Sequence, residues 1–160
     1  FHLREMAQLV LLRADVQALP TDPEPAPVIL EALSTLMAES ERRERVTPVI
    51  EASILRAYTC HAVAGHARAI ESLSHALTLG AQSGYVRIFA DEGKLLLHLL
   101  EQYHSQIHAP RAYLENILKI LRREAAEPEP AAPSSNSEGL IPLTRRELDI
   151  LQLLAAGKSN

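Results

Sequence analysis

The sequence predicts an all-α chain of paired helices, and three observations carry that prediction. Apolar residues recur at three- and four-residue spacings through nearly every long segment. No stretch sustains the two-residue alternation of a half-buried strand. Prolines and glycines fall between the periodic segments, at 20–27, Pro48, Gly65, Gly84 and Pro110, and divide the chain into helix-sized pieces.

Residues 2–19 form the first piece, with Leu3, Met6 and Val10 on one stripe and Leu9, Leu12 and Val16 on its neighbour. The four prolines of PTDPEPAP (20–27) stop it, since proline lacks the N–H and clashes with the preceding turn. Pro27 then suits the first turn of a second helix carrying Ile29, Leu33, Leu36 and Met37. Thr47-Pro48 reads as a hydroxyl cap followed by proline and opens a third helix to about His61, with Ile50, Ile54, Ala57 and Tyr58 inward. Gly65 is expected to end it. The fourth helix carries Ala69, Ile70, Leu73, Ala76 and Leu77 and is expected to close at Gly80 and Gly84. A short turn with Tyr85, Ile88 and Phe89 follows. Asp91 and Glu92 suit the start of a helix striped by Leu96, Leu99, Leu100 and Tyr103. Pro110 begins the last one, with Leu114, Ile117, Leu118 and Leu121 in register.

Composition bounds the function. The 160 residues are 47% hydrophobic and 22% charged, a globular balance. Sixteen basic against twenty acidic residues give a net charge of −4, which argues against tight nucleic-acid binding by this chain alone. The single cysteine, Cys60, excludes an internal disulfide and any cysteine-rich zinc module, and makes a cytoplasmic location the expectation. Apolar runs are only a few residues long, against the roughly 20 that a membrane-spanning helix needs.

At Ala125 the character changes. Proline, serine and asparagine dominate 125–142 (AAEPEPAAPSSNSEGLIP), no apolar period survives, and the segment reads as a linker. Helix signals then return. Thr144 is a cap, Glu147 completes a capping box, and Leu143 and Leu148 take the two positions of a hydrophobic staple. Leu148, Leu151, Leu154 and Ala155 form a stripe that Gly157 ends. The helix over 144–156 is near the limit of autonomous helicity and is expected to fray unless docked.

Several chemistries fail on their residues. Gly157-Lys158-Ser159 imitates the end of a phosphate-binding loop, but Gln152 stands where that motif needs glycine, and a helix precedes it instead of a strand. Glu101 and His104 form one Glu-x-x-His pair and His108 follows, yet a di-iron bundle requires a second copy and two further inward carboxylates. Cys60 and His61 are chain neighbours, and helical neighbours diverge by about 100°. The mixed run Glu39–Arg45 reads as a solvated helix end in preference to a docking patch. No nucleophile, base and oxyanion donor assemble, so the chain is not expected to be an enzyme.

Two resemblances sharpen this. Ala69, Leu73 and Ala76 have the small-large-small spacing of the second helix of a tetratricopeptide unit, and Ala32 and Leu36 lie about 37 residues before the first two, near the roughly 34-residue period of such repeats. Cys60 stands where an aromatic is usual, so the region is expected to be a tetratricopeptide-like helical-hairpin array and not a strict one. Residues 84–93 (GYVRIFADEG) and 143–160 (LTRRELDILQLLAAGKSN) together resemble the MalT-like group of large ATP-binding LuxR-type transcription regulators. The second stretch is similar to the opening of the LuxR-type helix-turn-helix through Leu143, Thr144, Arg146, Glu147, Leu151, Leu154, Ala155, Gly157, Ser159 and Asn160.

The resemblance implies a bacterial, cytoplasmic DNA-binding regulator. Residues 1–124 would be the effector-sensing or oligomerising repeats, 125–142 the linker, and 143–160 the start of an incomplete reader. It assigns DNA-binding positions to Thr144, Arg145, Arg146, Lys158, Ser159 and Asn160, and the reader's helix cap to Thr144 and Glu147. The sequence is expected to be a piece of a larger protein, ending where the base-reading second helix would begin. No cofactor is expected in these residues, the ATP site belonging to an N-terminal domain outside them. Expected partners are DNA for the complete protein, a small-molecule inducer or protein, and a second copy of the chain; no membrane is expected. Two readings stand beside it: a repeat scaffold that binds a partner peptide and has no part in transcription, and a di-metal helical enzyme. Lacking an upstream neighbour, the first helix is expected to expose apolar surface around Leu9, Leu12 and Val16.

Overall fold

The computed structural model describes residues 2–21 and 24–126, with side chains from Glu5 onward. All regular structure among them is helical: α1 (His2–Ala18), α2 (Ala26–Arg42), α3 (Val46–Ala62), α4 (His66–Ser83), α5 (Arg87–Ala90), α6 (Gly93–Gln102) and α7 (Arg111–Ala126). The fold is an all-α, tetratricopeptide-like array of hairpins. Helix α7 continues through Ala125 and Ala126, into the stretch read as linker. The rest of that stretch, and the whole of 143–160, lie outside the described residues.

Helix α3 is the centre of the array. Apart from Arg56, every residue from Pro48 to Cys60 is buried, because α2 and α4 pack along two sides of α3 and α1 covers another. Its buried serine and threonine hydroxyls turn back onto their own helix: Ser53 Oγ donates to the Val49 carbonyl at 2.7 Å and Thr59 Oγ1 to the Leu55 carbonyl at 2.9 Å. Polar atoms on an enclosed helix thus keep their hydrogen bonds without a gap in the packing.

Packing of α1 on α3 overturns the expected apolar patch. Leu9, Leu12 and Val16 are buried at 4%, 7% and 5% exposure, and among the described side chains of α1 Leu11, at 68%, is the large apolar one left in solvent. Two adjacent apolar stripes make a face wide enough to sit against α2 and α3 together.

The corners follow one device. At the ends of α2, α3 and α4 a residue in the left-handed conformation is followed by an N–H that reaches back five residues: Arg45 N to Ser40 O at 2.9 Å, Gly65 N to Cys60 O at 2.7 Å and Tyr85 N to Gly80 O at 3.0 Å. These are Schellman turns, which satisfy the last carbonyls of each helix. Gly84 takes the left-handed position at the third corner (φ 70°), as its sequence suggests, but Glu44 and Ala64 take it at the first two, both at φ 56°. Gly65 is therefore not the terminator of α3. It has negative φ (−84°) and caps α4 instead. Thr47 is likewise not a cap, because α3 starts one residue before it, with Arg45 at the cap position and no side-chain cap bond.

Gly80 also departs from expectation. It lies inside α4, and a β-carbon there would come within 2.6 Å of both the Phe89 ring and the Tyr113 hydroxyl. The glycine is needed for close approach: α5 and α7 dock on α4 through Phe89 and Tyr113, whose rings meet edge-on at 6.0 Å. Tyr113 donates its hydroxyl to the Tyr85 carbonyl, and burial pushes its pKa up to about 12. The stripes of α6 and α7 bury as their periods predict, Leu96, Leu99 and Leu100 against Leu114, Ile117, Leu118 and Leu121. Each fully buried leucine contributes about 1.5–3 kcal/mol of transfer free energy.

Candidate functional site

The DNA-binding positions inferred from sequence, Thr144, Arg145, Arg146, Lys158, Ser159 and Asn160, lie outside the described residues, as does the capping partner Glu147. The candidate metal residues are placed, and they separate. Glu101 accepts from Arg122 Nε at 2.9 Å, while His104 Nε2 meets Glu115 Oε1 at 2.9 Å. His108 lies beyond the end of α6 and uses its backbone N–H on Ser74 Oγ. Cys60 and His61 also diverge, the thiol inward and the imidazole toward Tyr103. The run Glu39–Arg45 is mostly solvated, with an Arg43–Glu39 pair at 2.8 Å, but its last member crosses to α1, where Arg45 pairs with the buried Glu5.

Grooves form where helices share a neighbour without packing on each other. Both α2 and α4 spend their contacts on α3 and have few with one another, so a seam runs between them over the α3 surface. At its waist His75 Nδ1 lies 3.2 Å from Ser53 Oγ. Ser53 has one proton and gives it to Val49, so His75 is the donor in this pair and carries its proton on Nδ1.

A cleft opens at each end of the seam. One, of about 200 Å³, has an apolar floor of Val46, Val49 and Leu79 with Glu41 and Glu44 at its rim. The other, of about 180 Å³, is lined by Leu30, Glu31 and Ser34 of α2, Arg56 and Cys60 of α3, and Arg68 of α4. Its electrostatics are basic at the base. Burial pushes the Cys60 thiol above its usual pKa, and the Arg56 and Arg68 guanidiniums pull against that rise while Glu71 adds to it. Ser34 faces this cleft from α2 with its own proton given to the Leu30 carbonyl at 2.8 Å.

Two polar ties hold the hairpins in relation to each other. Arg13 of α1 makes a bidentate pair with Glu92 at the start of α6, both bonds 2.7 Å, and Tyr58 of α3 donates to the same carboxylate at 3.0 Å. The Glu92 side chain is only 5% exposed. Burial and the neighbouring Glu92 charge drive the Tyr58 pKa well above its ordinary value. Farther along, the Tyr103 hydroxyl lies 2.9 Å from His61 Nδ1 and 2.7 Å from His66 Nδ1. A phenol has one proton, so with neutral rings it donates to one imidazole and accepts from the other, which fixes opposite tautomers on the two histidines. Burial lowers the His61 pKa, and His66 and His98 lower it further.

Sequence reasoning passed over both ties and the basic cleft. One signal was present: Arg56 is the lone cation of the most apolar helix, ILRAYTC, and a cation there calls for a reason. His61 and His66 flanking Gly65 carried no comparable signal, since their shared partner lies on another hairpin.

Residues 1–106 match the family model of the MalT-like TPR region. No curated protein matches the chain. No solved structure matches it either.

Proposed function

The chain belongs to the MalT-like TPR family, and from that premise we propose that it is the effector-sensing repeat region of a LuxR-type transcription regulator, joined by a linker to its DNA reader. The observation that carries the reading is the pairing of two independent features in one order. The repeat family covers residues 1–106, and the Leu143–Asn160 segment beyond it has the pattern that opens a LuxR-type reader. In this reading Thr144 and Glu147 cap the first reader helix, and Arg145, Arg146 and Lys158 lie beside phosphates, contacts that position a protein on DNA without specifying sequence. Base contacts fall to the following helix. ATP binding belongs to a separate N-terminal domain.

The repeats act by changing state. An inducer shifts a regulator between states only as far as it binds one better than the other. The ties Arg13–Glu92–Tyr58 and His61–Tyr103–His66 join hairpins that such a shift would move relative to each other. The readout is self-association that brings two readers to paired half-sites. Among the described residues no helix is long and apolar enough to cross a membrane. The test uses the gene product carrying a whole reader, mixed with promoter fragments and random duplex at physiological salt. Enrichment of particular promoters by about 10³ or more over random DNA is expected. Equal retention of both overturns the reading.

A further inference from the structure

The cleft between α2 and α4 at the Cys60 end holds two guanidiniums and no acid that neutralises them at contact distance. Arg56 and Arg68 form no ion pair among the described residues, although Glu31 and Glu71 are close by. At the corner between α2 and α3, Arg43 holds Glu39 and Arg45 holds Glu5, while Arg42, exposed at the end of α2, donates to the Ala38 carbonyl of its own helix. Arg56 is also half-buried, on the helix whose other residues there are covered by apolar neighbours. Leaving a partly desolvated guanidinium without a counter-charge is unfavourable, and two on adjacent helices repel each other. Charge and shape act together here: a concave space is lined by two planar five-donor groups, the half-buried Arg56 of α3 and the exposed Arg68 of α4, with Ser34 on the α2 wall.

We propose that this cleft binds the dianionic head of a small metabolite, a phosphate monoester or a dicarboxylate, between Arg56 and Arg68. Either head carries close to two negative charges at neutral pH, matching two guanidiniums, and either offers paired oxygens for bidentate hydrogen bonds. The volume of about 180 Å³ is below that of a drug-sized pocket and suits a head group or a compact metabolite. Glu31 on the α2 wall accepts from a hydroxyl or ammonium group that a metabolite carries beside its anionic head. Because α2 and α4 each contribute a wall, the ligand bridges two hairpins and biases their spacing. That regulatory meaning rests on the sensing role proposed above, whereas the binding itself does not.

The test is calorimetry on the 160-residue chain at fixed ionic strength, with inorganic phosphate and with malonate as probes. Saturable heat with phosphate assigns the site to phosphate monoesters, and saturable heat with malonate alone assigns it to dicarboxylates. Arg68→Gln and Arg56→Gln are each expected to weaken binding by about 10-fold or more, the size of a lost charged hydrogen bond. Arg56→Lys should recover part of the loss, and Lys94→Gln, an exposed charge change elsewhere, should bind as the parent chain does. Alkylation of Cys60, the sole thiol, supplies a second readout: filling the cleft masks both guanidiniums and slows it with the same concentration dependence. Circular dichroism confirms that each variant is folded. No saturable heat with either anion overturns the proposal, as does undiminished binding by a folded Arg56→Gln/Arg68→Gln double variant. No DNA is involved, so the outcome stands apart from any promoter assay.

Discussion

Helices α3 and α7 have similar lengths and opposite situations. Almost every residue of α3 between Pro48 and Cys60 is buried, and it presents no clean polar face. Helix α7 buries only Leu114, Ile117, Leu118 and Leu121, with Arg111, Glu115, Lys119 and Arg122 in solvent. An edge helix writes its orientation into its sequence, since one face must be polar. A central helix writes only that it is enclosed. Its function-bearing exceptions, Arg56 and Tyr58, stand out against that apolar background once the fold is known.

The largest way to test this contrast is to truncate a leucine in each helix. Leu55 is fully buried in α3, the helix on which α1, α2 and α4 all pack. Leu55→Ala should cost about 4 kcal/mol, near the upper end for such changes, while Leu121→Ala, in the last two turns of the edge helix α7, should cost about 2. Urea denaturation of the two variants measures the difference; equal losses would mean that α3 relaxes as readily as an edge.

Next in size is the tie that α3 shares with its neighbours. Glu92→Gln keeps the shape of the side chain but leaves Arg13 facing a neutral amide and removes the charged acceptor of Tyr58. Breaking one side of a buried pair costs about 3 kcal/mol or more. The same substitution should bring the Tyr58 pKa down, because the Glu92 charge is among the causes that raise it. Ultraviolet titration of the phenols reads that shift separately from stability, and an unmoved titration curve would show that burial alone sets it.

A smaller effect lies at the corners. Ala64 and Glu44 occupy left-handed positions where a β-carbon meets the following carbonyl, a strain of about 1 kcal/mol that glycine avoids. Ala64→Gly should therefore raise stability by several tenths to 1 kcal/mol, less than the full strain because glycine also loosens the unfolded chain. At Gly84, already glycine, the reverse change to alanine should lower it by a similar amount. Thermal melts of the two variants should move in opposite directions.

What the sequence disclosed follows the same division. All the long helices, the stripes of α2, α6 and α7, and the class of the fold were legible, because local periodicity records which side of a helix meets the core. Turn chemistry was half legible: Gly84 sits where glycine is favoured, while the corner after α3 puts alanine in that place and the glycine one residue on. The burial of Leu9, Leu12 and Val16 was read wrongly, since a stripe shows that a face is apolar and not which neighbour covers it. Apart from the lone cation Arg56, the basic cleft was illegible, as was the histidine–tyrosine tie, for a related reason. Arg56 and Arg68, or His61 and Tyr103, become neighbours only through the packing of whole helices.

The smallest effect expected is a dependence on mild acid. His61 has a pKa below the ordinary histidine value in the folded chain, first from burial and then from His66 and His98, so the folded state holds its proton less tightly than the unfolded state does. Linkage then makes stability rise with pH across that window: it is complete above about 6.5 and is lost as pH falls from there toward the folded pKa. Geometry gives the loss its location. Protonating both imidazoles puts two donors on one phenol oxygen, and Tyr103 must then turn its own proton away from both. Ordinary carboxylates stay charged at pH 5.5, so a urea midpoint that drops between pH 7.5 and 5.5 reports on histidines. His61→Gln should reduce that drop, and Tyr103→Phe should lower stability at pH 7.5 while lessening the further loss at 5.5. If His61→Gln shows the full parental drop, the acid sensitivity resides in the other histidines and this tie is pH-insensitive.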